Sequence, residues 1–113
     1  MTDTASHTST PLSDAEAQVR LRLTNAMRAS RDILRTYESV SAESSPKELM
    51  DAMTTLNLFE SILDEVDELV EALRSIRDVT IDGNRIIGAT EATMLILRMA
   101  QAEMVAQIDS ATE

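Results

Sequence analysis

From Leu49 to Leu73 the chain repeats one pattern without a break. Leu49, Ala52, Leu56, Phe59, Leu63, Val66, Val70 and Leu73 follow one another at steps of three and four. Those steps return to one side of an α-helix, so the residues make a single apolar stripe that has to be covered. Ile62, Leu69 and Ile76 widen the stripe on one flank. Its start is marked by Ser-Pro-Lys-Glu at 45–48: Ser45 suits the cap, Pro46 the first helical position, and Glu48 can reach back to the cap amide. The pattern predicts a helix of about 30 residues, roughly 45 Å long, with Leu63 and Val66 buried at its centre. The whole chain holds only two Gly and two Pro, too few breakers for the repeated tight turns of a sheet protein.

Two further helices are expected around this one. Ser13-Asp-Ala-Glu16 has the form of a capping box. Behind it Val19, Leu23, Ala26, Ile33, Tyr37 and Val40 line one face, interrupted by polar Ser30 and fading at Ser41–Ser45. So short a linker implies an antiparallel hairpin of the first two helices, with Arg20 brought near Asp67. Residues 79–88 are ambiguous: Asp82-Gly83 between apolar pairs can be a hairpin turn, or Asp82 or Asn84 can cap a third helix. Two such short strands would have no sheet to join, so the helix is favoured, running to about Ile108. Its centre, Met-Leu-Ile-Leu-Arg-Met-Ala at 94–100, is apolar on most sides. The Ser- and Thr-rich residues 1–12 are expected to be a disordered tail and 13–113 a single helical domain.

The chemistry available is narrow. The 113 residues carry 20 acidic against 10 basic side chains, a net charge of -10, which opposes binding to phosphate backbones or anionic lipid. There is no Cys, the single His7 falls in the expected tail, and Lys47 is the only Lys, so neither a thiolate nor a His-activated nucleophile is available. Nothing resembles a signal peptide or an apolar run of membrane-spanning length, and a cytoplasmic location is expected. Aromatics are only 2% of the chain, so the core has to be aliphatic, with Met as filler or as an adaptable surface.

The acids concentrate on the second helix. Glu60, Asp64, Asp67 and Glu71 are spaced four, three and four apart in a line beside the apolar stripe. Such a line is either a solvated face, offset by Arg20 and Arg22 and closed by Arg74 and Arg77, or a surface for a basic partner. Carboxylates at this spacing can also chelate a hard cation such as Mg²⁺. Leu-Asp-Glu-Val-Asp-Glu-Leu-Val-Glu-Ala-Leu at 63–73 resembles the Glu-x-x-Glu helix of the all-α MazG-like nucleotide pyrophosphohydrolases, with Glu65 and Glu68 at the matching positions. The resemblance implies a metal site completed by a later Glu-x-x-Asp. Here that segment is Glu91-Ala-Thr-Met94, with Met where the Asp belongs. A chain of that fold without this carboxylate would be a non-catalytic member.

The residues therefore point to an all-α protein: an antiparallel bundle of three helices with a long central helix, assembled into a dimeric bundle. The expected function is non-enzymatic protein–protein contact, with no cofactor, metal or nucleic acid. The contact surfaces are the acid row Glu60, Asp64, Asp67 and Glu71 and the apolar residues Met94, Ile96, Leu97 and Met99. The alternatives are the degenerate pyrophosphohydrolase, using Glu65, Glu68 and Glu91, and an acidic mimic of nucleic acid that blocks a basic groove.

Overall fold

The computed structural model describes residues 13–112, and the expected tail at 1–12 lies outside them. The described residues form three helices and no strand: α1 (Asp14–Thr36), α2 (Pro46–Ser75) and α3 (Ile81–Thr112). Helix α2 packs along both of the others, while α1 and α3 meet much less.

The caps explain the starts. Ser45 Oγ accepts from the Glu48 amide at 3.1 Å, and Glu48 Oε1 accepts from the Ser45 amide at 2.7 Å, so the predicted box is complete. The Ser45 amide, foremost, and the nearby Ser45 hydroxyl hold the Glu48 carboxyl below its ordinary value. A depressed folded value means that the box contributes fully above the ordinary carboxylate range and fades as pH falls through the lowered one. An NMR titration of the Glu48 carboxyl should show that lowered midpoint, and Ser45→Ala, which keeps the amide donor, should move it only part of the way back up.

At α1, Ser13 Oγ does accept from the Glu16 amide at 3.1 Å, but the Glu16 carboxylate does not return to the cap. It turns inward, 1% exposed, and accepts from the Thr80 amide at 3.0 Å and from the Thr80 hydroxyl. Thr80 Oγ1 in turn accepts from the Gly83 amide at 2.9 Å, which caps α3. The cap of the third helix is therefore Thr80, not Asp82 or Asn84, and residues 81–88 are helical rather than a hairpin. Asp82 lies in the first turn, where an acid still suits the dipole. The five-residue passage from α2 to α3 turns at Asp78, whose φ of 60° lies in the left-handed region that Asp tolerates. Gly83 is required by packing: a Cβ there would come 2.5 Å from Glu16 Oε2 and 2.7 Å from Val79 Cγ2.

Two boundaries differ from the periodicity. Helix α1 stops at Thr36, before Val40: Tyr37 leaves in an extended conformation, its amide still donating to the Ile33 carbonyl at 2.9 Å. Helix α3 continues past Ile108 to Thr112, making it, at 32 residues, longer than the 30-residue α2. The α2 stripe itself is the core. Phe59, Leu63, Val66 and Leu73 are fully buried, joined by Leu23, Ala26 and Met27 of α1 and by Ile87, Met94, Leu97 and Met104 of α3. Ser30, the polar break in the α1 stripe, is buried too. Its hydroxyl donates to the Met27 carbonyl at 2.7 Å, which satisfies it within its own helix.

Candidate functional site

The acid row is exposed along α2, and α3 reaches across to it. Arg98 donates to Asp67 at 2.6 Å and to Asp64 at 3.3 Å, while its other amino group donates to Gln101 at 3.0 Å. Partial burial by itself would lower the Arg98 pKa, but the two hydrogen-bonded carboxylates outweigh it and raise the value. Arg98 thus fastens α3 to α2 and neutralises the middle of the row. Arg74 does the same nearer the α2 terminus, touching Glu71 at 3.5 Å and also meeting Glu91 of α3. Arg98→Ala should cost about 1 kcal/mol, since the acids it holds are largely solvated. The loss should shrink at high salt in urea melts, because only the ion pairs are screened.

The expected Arg20–Asp67 pair does not form. Arg20 lies 3.6 Å from Glu16 on its own helix, and the α1–α2 ion pair is instead Arg22 with Glu65 at 4.0 Å. The reason is the inward turn of Glu16, which holds the neighbouring guanidinium, and the claim of Arg98 on Asp67. Of the carboxylates in the metal-site reading, Glu65 faces Arg22, Glu91 faces Arg74, and Glu68 has no ion-pair partner among the described residues. No group of three potential ligands that could hold a metal ion occurs among the described residues.

The apolar candidates divide. Met94 and Leu97 are core side chains and cannot serve as contact residues, a correction to the expectation. Ile96 and Met99 are on the surface, at 65% and 70% exposure, and Leu95, missed from the sequence, is 71% exposed beside them. Met94 and Leu97 point at α2 because the α3 stripe that meets the core runs Ile87, Thr90, Met94, Leu97 and Met104. A second apolar side is then left facing outward. It also contains Gly88, where an added Cβ would meet nothing within 4 Å. A glycine inside a helix costs about 0.5–1 kcal/mol relative to Ala, and no contact within the described chain requires it.

Compared with models of known families, with curated proteins and with solved structures, the chain matches none. No helix of the described residues is long and apolar enough to cross a membrane.

Proposed function

We propose that this protein is a non-enzymatic interaction module, an up-down-up bundle of helices that assembles with a second copy of itself through the outer side of α3. The observation that carries this reading is the row Leu95, Ile96 and Met99, each at least 65% exposed on a helix whose opposite side already fills the core. Large apolar side chains gathered on one outer face mark an association surface more often than scattered ones do. The alternating helix directions are supported by the cross-helix pairs. Arg22 meets Glu65 between α1 and α2, whereas Glu16 meets Thr80 and Tyr37 meets Gln107 between the α1 and α3 sides. Between α2 and α3, Arg74 meets Glu91 while the earlier Asp67 meets the later Arg98. The acid row supports a basic partner less well, because Asp64, Asp67 and Glu71 already have arginines beside them.

Sedimentation at micromolar concentration tests the reading. A dimer is expected, with a melting temperature that rises with protein concentration, since association stabilises the folded form by mass action. Leu95→Glu should leave the fold intact and shift the chain to monomer. A wild-type monomer at high micromolar concentration would remove self-association from the proposal.

A further inference from the structure

The outer side of α3 is more ordered than an apolar patch needs to be. Starting at Ile81, the positions 81, 85, 88, 92, 95, 99, 102 and 106 recur at steps of four and three, and all of them are exposed. This is the spacing of a two-helix coiled-coil seam, and it lies opposite the side that meets α2. Its residues alternate in size in a particular way. Large ones stand at 81, 95 and 99, very small ones at 88, 92, 102 and 106, and the one charge in the row is Arg85.

Resting on the self-association proposed above, we infer that two copies pair α3 against α3 in opposite directions, about a twofold axis that passes between residues 93 and 94. That single choice of axis sends every seam position onto another seam position. Ile81 meets Ala106 of the second copy, Gly88 meets Met99, and Ala92 meets Leu95, so each large side chain is received by a small one. Arg85 meets Ala102 and on that flank stands between its own Asp82 and Glu103 of the second copy, one cation between two acids. Within its own chain Arg85 is held only loosely, 4.0 Å from Asp82, and both of those side chains are largely solvated. Glu103 has no ion-pair partner among the described residues. Ile96, one step beyond Leu95, lies beside Ala89 of the second copy on the same flank.

The alternative parallel arrangement is worse on the same residues. It would set Arg85 against Arg85, leave a gap where Gly88 faces Gly88, and crowd Met99 on Met99. Like charges face to face are destabilising, and unfilled space forfeits packing contacts. The antiparallel arrangement also accounts for Gly88, the helical glycine with open space around it: Met99 of the second copy occupies that space. Small residues on the seam leave room for the long side chains opposite them without pushing the two helices apart.

Two measurements on the full chain decide the matter, and the absence of native Cys makes the first free of background. Gly88→Cys and Met99→Cys are prepared separately, mixed and oxidised. In the antiparallel register position 88 lies next to position 99 of the other copy, while the two copies of position 88 are roughly 16 Å apart along the axis, so the mixed disulfide should dominate. In the second, Arg85→Glu and Glu103→Arg should each weaken the dimer by about tenfold, and the double reversal should restore it to near the wild-type dissociation constant. Predominant like-with-like disulfides, or a double reversal no better than the single ones, would overturn the register while a dimeric wild type kept self-association standing. A monomeric wild type would instead overturn self-association itself, and the register with it.

Discussion

Glu16→Ala is expected to destabilise the fold by about 3 kcal/mol, the loss that follows when hydrogen bonds to a buried charge are removed and their donors left behind. Glu16 is 1% exposed and serves three groups: the Thr80 amide, the Thr80 hydroxyl and, at 3.6 Å, the Arg20 guanidinium. Without it, Thr80 would have two donors in a half-buried place, and the start of α3 would lose its tie to α1. Glu16→Gln keeps one acceptor for Thr80 and should cost about half as much. Gly83→Ala strains the same place from the other side, since its Cβ would stand 2.5 Å from Glu16 Oε2. That overpacking should cost about 1–3 kcal/mol, part of it returned by the better helix propensity of Ala. If the two sites share one cavity, the double variant Glu16→Ala with Gly83→Ala will cost clearly less than the separate losses combined, because removing the carboxylate makes room for the Cβ. Urea melts of the four proteins read out the cycle. Additive losses would mean that Gly83 is held by Val79 alone.

Glu16 also marks where local reading of the chain ran out. The Ser-x-x-Glu pattern at 13–16 is a capping signal, and Ser13 does cap, but the use of the carboxylate is set by Thr80, 64 positions away. Nothing within one helical turn distinguishes a Glu that folds back from one that turns inward. The same blindness affected the third helix. Asp82-Gly83 looks like turn chemistry, whereas Gly83 is small because Glu16 lies against it and the cap belongs to Thr80. Helix α2, by contrast, was legible almost residue by residue, because one polar side and one apolar side leave a single way to face a core. Helix α3 has apolar residues all round, so periodicity could not say which of Met94, Leu95, Ile96 and Leu97 would be buried. Only packing against α2 decides it, through Met94 and Leu97. Arg98, the one charged side chain at 94–100, supplies the polar half of the decision by reaching Asp64 and Asp67.

Leu63→Ala should cost roughly 2–5 kcal/mol, the range for removing a leucine side chain from a packed interior. Leu63 is 0% exposed at the middle of the stripe that both flanking helices share, with Phe59 and Val66, also 0% exposed, one turn away on either side. A cavity there has little means of collapsing, since the neighbouring side chains belong to elements tied together at several other points. Leu58 provides the control. It is the same residue type on the same helix, but it is 53% exposed and lies off the stripe. Its truncation loses only partial burial, so Leu58→Ala should cost less than about 1 kcal/mol. Helix propensity rises slightly and equally in both variants, so their difference isolates packing at the core. The comparison is best made at one fixed protein concentration, because any self-association adds the same concentration-dependent stabilisation to both. Equal losses at 58 and 63 would mean that the outer side of α2 is covered as well, and that the bundle buries more of this helix than its own chain can reach.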